Sequence, residues 1–80
     1  MTAYVVISDS IINGHQSHGL HGVYLSEEHA KAVAISTIVR ETVRCSHRIS
    51  TDDITMDGLE FSYKNDIIDI YVSCIEQEVQ

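Results

Sequence analysis

The sequence predicts an α+β domain in which an antiparallel sheet of about four strands carries one long helix on one face, in the order β-β-α-β-β. Three observations lead to this fold. Only residues 26–44 have a helical periodicity, and the segments around them are rich in β-branched and aromatic residues. Residues 59–64 alternate apolar and polar side chains, which is typical of a half-buried strand. A chain of 80 residues makes one domain, spanning 1–80.

The N-terminal part is predicted to contain the first strand and a turn. Residues 2–9 are apolar almost without interruption, which is typical of a central strand covered on both faces. Asn13-Gly14 favours a tight turn, and Ile11 and Ile12 can extend the strand to it. We expect residues 10–20 to form mainly this turn and a loop, and residues 22–25 to form a short second strand.

The helix is predicted to begin after Ser26, whose hydroxyl can accept from a free N–H of the first turn. Glu27 and Glu28 follow where the helix dipole favours negative charge, and Arg40 and Arg44 lie near the other end. Small and branched residues recur at spacings of three and four along one face: Ala30, Ala34, Ile35, Ile38, Val39 and Thr42. This stripe is expected to cover one side of the sheet.

After the helix, residues 45–58 are expected to be irregular, and residues 59–77 to form a hairpin. Asn65-Asp66 suits a two-residue turn. That turn sets Phe61 opposite Ile70, and it brings six side chains to the helix-covered face: Leu59, Phe61, Tyr63, Ile68, Ile70 and Val72. A slip by one residue would place polar side chains there instead.

The other face of the last strand carries an apolar row: Ile67, Tyr71 and Ile75. One helix covers one face of a sheet, so this row is expected to meet a protein partner or a second copy of the chain. Two alternatives remain open at this point. Residues 45–58 could fold over the row, or its members could be scattered exposed residues of no consequence.

The composition bounds the type of partner. The formal net charge is −7, and the five Lys and Arg residues are dispersed, which argues against direct nucleic-acid binding and fits a protein partner with a basic surface. Acidity also serves solubility alone, which is the simpler explanation of the charge. Two cysteines and the absence of a long apolar run favour a reduced, cytoplasmic protein without membrane contact.

Three histidines form the one unusual local cluster: His15, His18 and His21. Imidazoles at this spacing could converge on a metal or a small ligand, so a binding module built on this loop is the alternative function. A flexible loop provides little orientation for ligands, and solvated histidines are the simpler interpretation. No nucleophile–base pair is apparent, so we expect no enzyme activity, no catalytic residue and no cofactor.

The layout resembles that of small phage-encoded inhibitor proteins, including some anti-CRISPR proteins, in its Tyr-Val-Val strand, its Gly-Val-Tyr-Leu-Ser-Glu-Glu helix entry and its closing hairpin. The resemblance implies a protein that acts without catalysis, by blocking a site on a host complex. The expected function is therefore a non-enzymatic, acidic, protein-binding inhibitor. Its candidate partner-binding residues are Asp66, Ile67, Asp69, Tyr71, Ile75, Glu76 and Glu78.

Overall fold

The computed structural model describes residues 1–79 as a five-stranded antiparallel sheet with one helix on one side. In chain order the elements are β1 (Thr2–Ile12), β2 (His15–Tyr24), α1 (Glu27–Arg44), β3 (Thr55–Asp57), β4 (Glu60–Lys64) and β5 (Ile68–Glu78). Across the sheet the strands follow the order β2-β1-β5-β4-β3. The expected α+β layout is confirmed, with one strand more than the four that the sequence suggested. No helix within residues 1–79 is long and apolar enough to span a membrane.

The additional strand, β3, lies in the segment that was expected to be irregular. Thr55 pairs with Ser62, and Asp57 pairs with Glu60. A strand of three residues is too short, and this one is too polar, to show a recognisable pattern. Only the pairing with β4 therefore defines β3. Residues 51–53 before it form a 3-10 turn, in which the Ser50 N–H donates to Asp53 Oδ2 at 2.9 Å.

The second correction concerns β2, which is ten residues long rather than four. Asn13 and Gly14 both have positive φ, as a tight hairpin turn of type I′ requires, and β2 pairs with β1 from His15 onward. The histidine segment is therefore an edge strand and not a loop. The predicted turn at Asn13-Gly14 is confirmed. The histidines and serines that follow it lack β propensity, so the sequence did not indicate a strand there.

α1 begins and packs as its sequence predicts. Ser26 is the N-cap, and its hydroxyl accepts from the His29 N–H at 3.3 Å. Ala30, Ala34 and Ile38 are fully buried, whereas Ile35 and Val39 are partly buried at the margin of the core. The stripe faces β1 and β5, which are neighbouring interior strands of the sheet.

The β4–β5 hairpin keeps the predicted face but not the predicted register. Phe61 lies opposite Val72 rather than Ile70, because the two-residue turn is formed by Asp66 and Ile67. Asn65 belongs to the flanking pair: its N–H donates to the Ile68 carbonyl at 2.8 Å. A displacement of two residues leaves each side chain on its original face, so the pattern alone does not reveal it.

The main cluster of the core lies between α1 and one side of the sheet. Its largest fully buried side chains include Val6, Ile38, Phe61, Ile70 and Val72. Burial of each contributes about 1.5–3 kcal/mol relative to an exposed side chain. β1 was expected to be covered on both faces, but the structure covers only its helix-facing side. The opposite side of the whole sheet has no second layer within residues 1–79.

Candidate protein-binding surface

The side of the sheet opposite α1 is the candidate surface, and we call it the open face. Side chains at paired positions of neighbouring strands lie on the same face. Val23 of β2, Val5 of β1 and Ile75 of β5 therefore form one row across three strands. Leu20 and Ile7 form the next row. These five residues make up the apolar half of the open face.

The apolar half is accessible to solvent. Leu20 is 69% exposed, Val23 is 61% exposed and Ile75 is 41% exposed. Val5 and Ile7 lie between them and are partly exposed. Single exposed apolar residues are common on protein surfaces, but contiguous ones across three strands indicate an interaction site.

The remainder of the open face is acidic. Asp9, Asp57, Glu60 and Asp69 all take open-face positions in the strand register, with Lys64 as the lone Lys or Arg among the paired open-face positions. These four carboxylates make up the acidic half. Asp9 and Asp69 line a shallow depression of about 140 Å³ together with Ile11, Gln16 and Tyr71.

Tyr71 lies within the acidic half, one row from the apolar residues. Its hydroxyl donates to the Glu60 carboxylate. This hydrogen bond, with a smaller contribution from desolvation and from the negative charges of Glu60 and Asp57, raises the pKa of the Tyr71 phenol. On the same face, His18 is paired with Asp9. The acidic half therefore holds its polar side chains in defined orientations.

The structure separates the seven predicted partner-binding residues into three groups. Asp69, Tyr71 and Ile75 lie on the open face. Asp66 and Ile67 form the turn at one end of the sheet. Glu76 and Glu78 point to the opposite side of β5, and Glu78 accepts from the N-terminal ammonium at 3.1 Å. The seven residues therefore do not share one surface.

The sequence interpretation missed Val5, Ile7, Leu20 and Val23. The uninterrupted apolar run that contains Val5 and Ile7 is typical of a strand covered on both faces, and Leu20 lies in the segment predicted to be a turn and a loop. A signal was present, because a type I′ Asn-Gly turn places the next residues alongside the preceding strand. If β2 is extended over its full length, Leu20 and Val23 lie alongside β1.

The three histidines of the alternative hypothesis do not converge. His18 lies on the open face beside Asp9, whereas the His21 ring lies on the helix-facing side, against Ser8. His15 is at the turn end, opposite Ile12. Successive residues of a strand point to opposite faces. Two histidines that are three positions apart along the strand therefore point to opposite sides of the sheet. Within residues 1–79, no group of three His, Cys, Asp or Glu side chains is arranged to hold a metal ion.

Comparison with known proteins found no similarity that bears on function. The chain matches no protein-family model, no curated protein and no solved structure.

Proposed function

We propose that the chain is a non-enzymatic protein-binding module and that its open face docks on a partner whose surface is basic and partly apolar. The observation that carries this proposal is the apolar half, which crosses three strands on a side of the sheet without a covering layer. A sheet buries its apolar face against another element, and here a partner supplies that element.

The free energy of such binding comes mainly from the apolar half. Each Å² of apolar surface removed from water contributes about 25 cal/mol. Leu20, Val23 and Ile75 are all more than one third exposed before binding, so they have accessible area to bury. Val5 and Ile7 of β1 lie between them and make the patch continuous, which allows one apolar segment of a partner to contact all three.

The acidic half determines the class of partner. The open face carries four carboxylates and one lysine, Lys64, so its electrostatic potential is negative. The whole chain has a net charge of −7. Lys and Arg side chains on a partner would pair with them, and long-range attraction would accelerate association at low salt. Proteins that bind nucleic acid present such basic surfaces. We therefore infer that the module inhibits a nucleic-acid-binding or defence complex of a host by occupying its basic surface.

Affinity capture followed by measurement with the purified partner tests this proposal. The decisive pair of variants is Asp69→Lys and Glu76→Lys, which make the same charge change on opposite sides of β5. We expect Asp69→Lys to weaken binding by about tenfold or more, because it replaces attraction with repulsion at the interface. Glu76→Lys should change the dissociation constant by less than about twofold.

A third variant, Leu20→Lys, removes apolar surface at an exposed position and leaves the core untouched. We expect it to abolish capture of the same partner. Equal binding by the wild type, Leu20→Lys and Asp69→Lys would reject the open face. A free protein that is dimeric, and that becomes monomeric on Leu20→Lys substitution, would assign this face to a second copy and overturn the proposal.

A further inference from the structure

The helix-facing side of the β1–β2 hairpin is polar at positions where the adjoining part of β5 is apolar. Ser8 lies opposite Gly19, and Ser10 lies opposite Ser17. On the neighbouring strand β5, the corresponding positions are occupied by buried Val72 and Ile70. The small side chains of β1 and β2 leave a crevice of about 240 Å³ between the hairpin and the end of α1, which contributes Glu41 and Arg44 to its wall.

The His21 ring reaches this crevice because of a bulge in β2. Val6 pairs with Gly22 and Ile7 pairs with Leu20, so His21 is the extra residue without a partner on β1. Bulges of this kind redirect a side chain and are frequent next to functional sites. The His21 carbonyl accepts from the Tyr24 hydroxyl at 2.8 Å, and Ser8 Oγ lies 2.7 Å from His21 Nε2.

Two glycines make room for this arrangement. Gly22 has φ of +126°, and a Cβ there would lie 2.8 Å from the Tyr24 hydroxyl oxygen. A Cβ at Gly19 would lie 3.0 Å from His21 Nε2 and 3.2 Å from Ser8 Oγ. A side chain at Gly19 would displace a member of the contact between Ser8 and His21, whereas one at Gly22 would displace the Tyr24 ring that donates to the His21 carbonyl. The bulge and the glycines together fix a hydroxyl–imidazole pair in the crevice.

The side chains that line the crevice include several hydrogen-bond donors and one carboxylate, Glu41, whose charge opposes an anion. Three serine hydroxyls can donate, and Arg44 presents a planar guanidinium suited to two oxygens of one anion. Arg44 contacts Glu41 at 3.4 Å, but its side chain is 72% exposed. An exposed ion pair of this length stabilises the chain little, so the guanidinium is free to turn toward a ligand.

The surroundings of the crevice also favour an anion. Three of the five Lys and Arg residues in the chain lie at the end of α1 or just after it: Arg40, Arg44 and Arg48. The negative end of the helix dipole is partly neutralised there, because the Thr42 carbonyl accepts from the N–H groups of Cys45 and His47. This is the most basic region of an acidic protein.

The geometry points to a binding site for a phosphate group in this crevice, held by Ser8, Ser10, Ser17, His21 and Arg44. A crevice of about 240 Å³ is smaller than the roughly 300–1,000 Å³ of pockets for drug-sized ligands, so the ligand is free phosphate or a small phosphate monoester. The crevice and the open face lie on opposite sides of the sheet. The phosphate site can therefore be tested independently of the proposed partner.

An NMR titration of the ¹⁵N-labelled protein with inorganic phosphate, at constant ionic strength set with sodium chloride, tests the inference. We expect saturable shifts of the Ser8, Gly19 and His21 amides, with little change at Val23 on the open face. A parallel titration with glycerol 3-phosphate separates the two sources of the ligand, because tighter binding than that of phosphate would indicate a monoester. Shifts that fail to saturate with either probe would overturn the inference.

Matched variants distinguish a site from general attraction to a basic region. Arg44 and Arg48 are both exposed, but only Arg44 lines the crevice. We expect Arg44→Ala to weaken phosphate binding by about tenfold and Arg48→Ala by less than about twofold. Ser17→Ala should weaken it without affecting the fold, since Ser17 is exposed. Equal losses for Arg44→Ala and Arg48→Ala would reject a defined site.

Discussion

Phe61 of β4 lies directly opposite Val72 of β5, and both side chains are buried beneath α1. This pairing depends on Asn65, whose side-chain oxygen accepts from the N–H groups of Ile67 at 2.9 Å and Ile68 at 2.8 Å. An Asn side chain that bonds the backbone two residues ahead stabilises a turn beginning at its own position. Asn65 therefore precedes the turn instead of occupying it, and the register moves by two residues.

Asn65→Ala should destabilise the protein. The substitution removes the acceptor for two backbone N–H groups, one of which, on Ile68, belongs to a buried residue. We expect the free energy of unfolding to fall by about 1–3 kcal/mol, as measured by urea denaturation. Asp66→Ala is the matched control, because Asp66 is exposed and occupies the turn next to Asn65. An equal loss for the two variants would show that the Asn65 side chain does not hold the turn.

Ile70 and Ile75 provide a test of which side of the sheet carries the core. They lie on the same strand, yet Ile70 is fully buried and Ile75 is 41% exposed. We expect Ile70→Ala to lower the free energy of unfolding by about 2–5 kcal/mol, since it leaves a cavity beneath α1. Ile75→Ala should cost less than about 1 kcal/mol in the isolated protein. Similar losses in urea denaturation would mean that both sides are covered in the free chain.

The stability of the protein should decrease at alkaline pH. Burial raises the pKa of the Cys74 thiol above its ordinary value near 9. The thiol is therefore neutral in both states below about pH 9, and as the pH rises further the unfolded chain loses this proton first. The free energy of unfolding falls across that window, up to the raised pKa of the folded state. Tyr71, whose pKa is also raised, adds to the decline at higher pH.

Urea denaturation at several pH values above 8 measures this dependence. Cys74→Ala should flatten the decline, whatever its effect on stability at neutral pH. Cys45→Ala is the matched control for the substitution itself, because it removes the other free thiol, which is only partly buried. A wild-type curve that rises or stays flat above pH 9 would contradict the assignment of Cys74 to the core.

The elements that could be predicted were those whose pattern is local. The N-cap at Ser26 and the turn at Asn13-Gly14 follow from the conformational preferences of the residues themselves, and both are present in the structure. Cys74 alternates with Ile70 and Val72 in the sequence, and all three are buried in the structure. β3 was missed because a strand of three residues has no period of its own.

The candidate surface was predicted only in part, for a different reason. Tyr71 and Ile75 were recognised as facing away from the helix because alternation along a single strand is visible in the sequence. Their neighbours Val5 and Val23 belong to strands that are distant along the chain, and strand order determines that they adjoin. The contact between Ser8 and His21 arises from a bulge, which shifts one residue relative to its partner strand.

By itself, the sequence determined that the chain forms an α+β domain, where its helix begins, and which side chains of the final hairpin face the core. These features depend on side-chain period and on local hydrogen bonding, which act over a few residues. The tertiary structure decided the strand order, the register set by Asn65, the contiguous apolar half and the polar crevice. The strand order, the apolar half and the crevice depend on pairing between distant segments, which brings together side chains that no local pattern relates. The register depends on the Asn65 contacts, and alternation does not reveal it because a displacement of two residues keeps every side chain on its face.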